Sequence, residues 1–185
     1  MGILKKSLLL LVLFGLIGCG TNNDDDVSTE RFDMWNYMSA TVNYAVEYDI
    51  YKNGKKVDYL VEEHKMFKDF YQKESNKGVV KLYKHSREII MKEPREEVSV
   101  ERYAYVGDDK LFKAPSIKNC RLQQFYKNFK NKEKSYKKVI MVTCLSNSGV
   151  KKQIYYGYNE GVVTTYVNDH GVTEEWVKVG EKQIK

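Results

Sequence analysis

Tyr44-Ala45-Val46-Glu47-Tyr48-Asp49-Ile50-Tyr51-Lys52-Asn53-Gly54-Lys55-Lys56-Val57-Asp58-Tyr59-Leu60-Val61 alternates apolar and polar side chains on both sides of an Asn-Gly pair. Alternation with period two marks a strand packed on one face, and Asn-Gly is the strongest short signal for a two-residue type I′ turn. Closing the hairpin on Asn53-Gly54 sets Ile50 opposite Val57, Tyr48 opposite Tyr59 and Val46 opposite Val61, all on one face. The other face carries Asn43, Glu47, Asp49, Asp58 and Glu62, with Ala45 and Leu60 as exceptions. An oily face backed by a wet one predicts antiparallel strands covered on one side.

The same punctuation runs along the rest of the chain, at Asn76-Lys77-Gly78, Gly107-Asp108-Asp109, Asn147-Ser148-Gly149, Asn159-Glu160-Gly161 and Asp169-His170-Gly171. Turn signals at short spacing, with Val, Ile, Thr and Tyr between them, predict hairpins and not βαβ units. Near the C-terminus, Ile154, Tyr156 and Tyr158 share a face with Val163, Thr165 and Val167, and a turn at Asp169-His170 sets Trp176 across from Val163. Val162, Tyr166, Val177 and Val179 lie on the opposite face, so these strands are expected to be covered on both sides. Met66, Phe67, Phe70 and Tyr71, and again Leu122, Phe125, Tyr126 and Phe129, follow helical spacing, which leaves 66–75 and 119–131 open between strand and helix. The expected fold is all-β. About eight to ten antiparallel strands form a meander, closed as a small lipocalin-like barrel or left as a strongly curved sheet, with room for one short helix.

Composition agrees. The chain has 185 residues, 42% of them apolar, with two prolines and twelve glycines, which excludes collagen-like, low-complexity and disordered classes. Fifteen tyrosines, seven phenylalanines and two tryptophans favour pleated, half-buried surfaces. Three cysteines are too few for a disulfide-stapled miniprotein.

Residues 1–19 read MGILKKSLLLLVLFGLIGC. Lys5 and Lys6 precede an apolar run from Leu8 to Ile17, about half the roughly 20 residues that a spanning helix needs, and this is the layout of an export signal. Leu16-Ile17-Gly18-Cys19 resembles the lipobox of bacterial lipoproteins. The resemblance implies that 1–18 are removed as a signal peptide. It also implies that Cys19 becomes the first residue, carrying diacylglycerol on its thiol and a palmitate-type acyl chain on its amine. Each buried methylene contributes about 0.8 kcal/mol, so two or three chains hold the protein to a membrane. Residues 19–33, with the acidic run Asp24-Asp25-Asp26, are expected to be a polar tether, and 34–185 a single β-rich domain. In lipoproteins of this kind an aspartate directly after the cysteine retains the protein at the inner membrane. Gly20 stands there instead, which points to the outer membrane where the cell has one.

An oxidising envelope leaves Cys120 and Cys144 to pair, or to remain as two small buried thiols. A hairpin centred on Lys132 sets Cys120 opposite Cys144, Leu122 opposite Val142 and Gln124 opposite Ile140, and opposed positions suit a disulfide.

No catalytic residue is predicted, since nucleophile elbow, phosphate loop and dinucleotide fingerprint are all lacking. His64, His85 and His170 are scattered, and Glu62-Glu63-His64 reads as a solvated strand edge, so neither a metal nor another cofactor is expected beyond the lipid on Cys19. Removing Lys5 and Lys6 takes the formal charge from +6 to about +4. Much of it lies in Lys127, Lys130, Lys132, Lys134, Lys137 and Lys138, a solvated hairpin tip or a contact for an anionic lipid, glycan or envelope protein. Nucleic acid is not expected for so modest a charge. Three functions are consistent with these features. The first is a non-enzymatic envelope protein with a binding or structural β-domain. The second is a carrier of an apolar ligand in a cavity lined by Tyr44, Val46, Tyr48, Tyr59 and Val61. The third is an envelope enzyme or inhibitor without a motif.

Overall fold

The computed structural model describes residues 29–39 and 42–184; the export segment, Cys19 and the tether as far as residue 28 lie outside the described residues. Along the chain run β1 (Phe32–Asp33), α1 (Trp35–Met38), β2 (Tyr44–Lys52), β3 (Lys55–Met66), β4 (Tyr71–Ser75), β5 (Gly78–Lys84), β6 (Glu88–Lys92) and β7 (Glu97–Glu101). They are followed by β8 (Tyr103–Ala104), β9 (Phe112–Lys113), β10 (Ile117–Lys130), β11 (Ser135–Ser146), β12 (Lys151–Gly157), β13 (Gly161–Asp169) and β14 (Val172–Gln183).

Twelve strands form one antiparallel sheet in the order β10-β11-β12-β13-β14-β2-β3-β4-β5-β6-β7-β9, while β8 leaves it to pair with β1. The last strand lies beside the first long one, from Glu174 opposite Lys52 to Gln183 opposite Tyr44. The two ends of the sheet, β9 and β10, are consecutive in the chain, and the Leu111 N–H donates to the Cys120 carbonyl (2.9 Å) between them. The result is a nearly closed up-and-down barrel with little bare edge. The all-β meander matches the sequence reading, with twelve strands in the main sheet against the expected eight to ten, β9 being only two residues long.

The Asn53-Gly54 turn forms with both residues at positive φ (49° and 80°). Beyond it the predicted register fails. Lys52 faces Lys55 and Tyr51 faces Lys56, then a bulge leaves Val57 unmatched, so that Ile50 faces Asp58, Tyr48 faces Leu60 and Val46 faces Glu62. One extra residue turns every later side chain of β3 to the other face. Tyr59 and Val61 are 68% and 42% exposed, while Leu60 is buried.

Bulges also explain the helical spacing. In β10, Cys120 faces Cys144 and Leu122 faces Val142 as expected, but a shift before Gln124 sets Gln124 against Met141 and Phe125 against Ile140. Leu122 and Phe125 therefore belong to the same core cluster, three residues apart on a strand. Around Met66 the strand ends, Phe67 N–H donates to the Phe70 carbonyl (2.8 Å), and a new strand starts at Tyr71. The C-terminal hairpin closes on His170-Gly171, both at positive φ, one residue later than expected, so Trp176 faces Thr165 and not Val163. A bulge at Tyr155/Tyr156 sets Tyr156 against Val162.

The barrel's two ends differ. One carries the turns after β2, β4, β6, β9, β11 and β13. The opposite end is closed by the N-terminal segment, whose Met34 N–H donates to the Arg102 carbonyl (2.7 Å) and whose Asn36 carbonyl accepts from Asn159 (2.6 Å). Phe32, Met34 and Met38 join the core there, and Asp33 pairs with Arg102 at 3.0 Å, so the folded domain begins inside the stretch expected to be tether. The long β10–β11 hairpin overhangs the wall and folds onto the outer face of β13 and β14. Asn131 Nδ2 donates to the Val163 and Lys178 carbonyls (3.1 and 3.3 Å), and Tyr136, Val139 and Val163 form a second small core with Tyr126, Phe129 and Tyr155. This flap covers the C-terminal strands whose two apolar faces called for cover. A disulfide joins Cys120 to Cys144 across the same hairpin.

Candidate functional site

The inner stripes of several strands change character as they approach the turn-bearing end. On β4, buried Tyr71 is followed two residues later by Lys73; on β6, Met91 leads to Glu93; on β12, Tyr156 and Ile154 lead to Lys152; on β3, His64 is preceded by Glu62. Since side chains alternate along a strand, each charge continues an apolar stripe on the inner face. Lys73, Glu93, Lys152 and Glu62 line a cavity of about 380 Å³ at that end, with a mostly apolar wall that includes Met91, Val98, Phe112, Ile154, Tyr156 and Trp176. Tyr48 also borders it, its hydroxyl donating to the Val162 carbonyl (3.0 Å).

Of the five side chains expected to line such a cavity, only Tyr48 does so. Tyr44 and Val46 point inward but are packed into the core, and Tyr59 and Val61 face solvent through the β3 bulge. Glu62 was missed because the slipped β3 register hides it; in the corrected register it falls on the inner face together with Leu60 and His64.

His64 is 0% exposed, which corrects its placement at a solvated edge. Its Nε2 lies 2.6 Å from Glu62 Oε1, and Nδ1 meets the Tyr71 hydroxyl. A carboxylate only accepts, so Nε2 carries the proton, and in a neutral ring Nδ1 then accepts from the phenol. Burial, assisted by nearby Lys73, lowers the His64 pKa despite Glu62, which keeps the ring neutral near pH 7. Burial would raise the Glu62 carboxyl, but the His64 hydrogen bond and the charges of Lys73 and Lys152 outweigh it and hold the group below its usual range. Carboxylate, imidazole and hydroxyl in series resemble a nucleophile-activating relay. Here the relay ends on Tyr71, which is wholly buried and whose phenol burial pushes to higher pKa, so the relay's terminal oxygen does not meet the cavity.

Lys73 and Lys152 differ from Glu62. Among the described residues neither ammonium has a carboxylate within 4 Å or a hydrogen-bond acceptor. Lys152 is exposed and Lys73 half-buried where they border the cavity, and the surrounding wall lowers the pKa of both lysines, opposed by Glu62 and Glu93 at Lys73 and by Glu93 at Lys152. Burial likewise raises the Glu93 carboxyl, opposed by Lys152. Glu96 is occupied by Ser116, whose hydroxyl donates to Oε1 at 2.5 Å. Lys77 closes over the rim, with Nζ 3.8 Å from the centre of the Trp176 ring.

A second ionic cluster lies at the plugged end. Lys178, fully buried, contacts Glu160 at 2.7 Å and Glu181 at 2.8 Å, and satisfies its charge within the wall. The basic hairpin tip is no simple solvated loop: Lys132 is paired with Glu175 and lies 3.9 Å over the Tyr51 ring, and Lys138 lies 5.4 Å over Tyr158. Lys127, Lys130, Lys134 and Lys137 remain on the surface. Among the described residues no three His, Cys, Asp or Glu side chains gather as a metal site.

No protein-family model matches the sequence, and no curated protein matches it. The chain is similar to a Bacteroides fragilis protein provisionally described as exported and as having a YmcC-like fold, with a TM-score of 0.47, 7% identity, and 80% of this chain and 99% of that chain covered. It is also similar to a provisionally described lipoprotein of Parabacteroides distasonis, with a TM-score of 0.46, 10% identity, and 79% and 98% covered. At these scores the likeness carries nothing about ligand, partner or compartment.

Proposed function

We propose that this protein is a lipid-anchored envelope protein whose barrel takes a small apolar ligand into its interior, and that it binds rather than catalyses. The cavity carries this reading. Its volume of about 380 Å³ lies within the range of small-molecule sites, its wall is largely apolar, and its few polar groups converge at one end. A solid core would leave no such space. Binding is favoured over catalysis because the Glu62–His64–Tyr71 relay presents only its carboxylate to the cavity and ends on the wholly buried Tyr71.

The anchor rests on Leu16-Ile17-Gly18-Cys19, with Gly20 favouring the outer membrane. No cofactor beyond the Cys19 lipid and no nucleic-acid partner enter this proposal. The exposed Lys130, Lys134 and Lys137 suit a contact with anionic lipid, glycan or an envelope protein. Protein purified from its native membrane and extracted with organic solvent should release one small apolar species, near equimolar by mass spectrometry. An empty extract, together with no uptake of fluorescent fatty acid, would contradict the proposal.

A further inference from the structure

We propose that the cavity ligand is an amphiphile with a single apolar tail and a small anionic head, carboxylate or phosphate, held by Lys73 and Lys152. The inference rests on the cavity-binding reading and deepens it by naming the head group.

Two lysines that border a mostly apolar cavity without a direct partner, Lys73 half-buried and Lys152 exposed, lose part of their hydration against that wall and are served by an acceptor that replaces it. Together they present six N–H donors. The polar groups that share the site do not meet that demand. Glu62 is taken up by His64 at 2.6 Å, and Glu96 by Ser116 at 2.5 Å. Glu93 faces both ammonium groups electrostatically but bonds neither, and Tyr48 spends its proton on a backbone carbonyl. Lys73 and Lys152 line the same cavity, so one anion held there can draw on both flexible side chains; burial lowers both in pKa, and the charge of Lys73 adds to the effect at Lys152. The tail would lie against Met91, Val98, Phe112 and Trp176, the apolar side of the same space.

Dodecanoic acid, dodecyl phosphate, dodecanol and dodecylamine, titrated separately into delipidated protein at neutral pH, test this. The two anions should bind at least about tenfold tighter than the alcohol, since a charge-assisted hydrogen bond exceeds a neutral one by at least that factor. Their order tells a free fatty acid from a phosphorylated lipid head. Lys73→Met and Lys152→Met should each remove about tenfold of anion affinity and leave dodecanol unchanged, while Lys73→Arg should retain most of it. Retained dodecanol binding also shows that the variants fold. Alcohol or amine binding as tightly as the acid would overturn the anionic head while leaving the cavity reading intact. No binding of any of the four would overturn the cavity reading itself.

Discussion

His64 holds the centre of the barrel because both of its ring nitrogens are used, by Glu62 on one side and Tyr71 on the other. Its folded pKa lies below the ordinary 6.5, and that of Glu62 below 4.5. In both cases the unfolded chain takes up the proton more readily. Stability is therefore unaffected by this pair above about pH 7 and is lost as pH falls through 6.5 on His64's account, and again below 4.5 as Glu62 is protonated. Denaturant melts across this range should show that decline. His64→Gln should cost about 3 kcal/mol at neutral pH by stranding buried partners, and should flatten the first step. An unchanged slope would place the titration elsewhere. The sequence shows the residue types of this cluster but not their side of the strand. Lys73 and Lys152 were legible in principle, as parity continuations of Tyr71 and Ile154; Glu62 and His64 were not, because the Val57 bulge moves them across the sheet without any turn residue to mark it.

Bulges decide what could be read at the level of elements. Asn-Gly and His-Gly turns are written in residues that tolerate positive φ, and strands between them alternate, so hairpins are visible in the sequence. A single inserted residue in β3, β10 or β13 carries no comparable signature, and in β10 it imitates a helix by bringing Leu122 and Phe125 to one face. The flap depends on one side chain that the sequence does not single out. Asn131 donates to two carbonyls of the wall beneath and accepts from the N–H groups of Glu133 and Lys134 at 2.9 and 2.7 Å. Asn131→Ala should cost about 2–4 kcal/mol, the sum of several such bonds and the groups left bare. Trypsin should then cut at Lys130, Lys132 and Lys134 under native conditions well before the rest of the domain unfolds. If the hairpin stays protected in that variant, the small core of Tyr136, Val139 and Val163 holds the flap on its own.

The whole molecule closes by setting its first long strand against its last, and by filling one end with Phe32, Met34 and Met38. A barrel plugged at one end keeps its free space near the other. A closed barrel was one of the two expected forms, beside a strongly curved sheet; the pairing of β14 with β2 was not expected, since contacts between distant segments leave no local trace. The envelope role hangs on residues 16–19. Cys19→Ser should abolish labelling by radioactive palmitate and release the protein from membranes into the soluble fraction. Continued membrane partition without label would contradict the anchor. The interior can be probed through Trp176, which lines the cavity, whereas the other tryptophan, Trp35, sits in α1 beside Lys84. In a Trp35→Phe variant, bromine-substituted dodecanoic acid should quench the remaining fluorescence saturably, at one molecule per chain. Quenching that rises linearly without saturation, or none at all, would mean that the barrel holds no ligand.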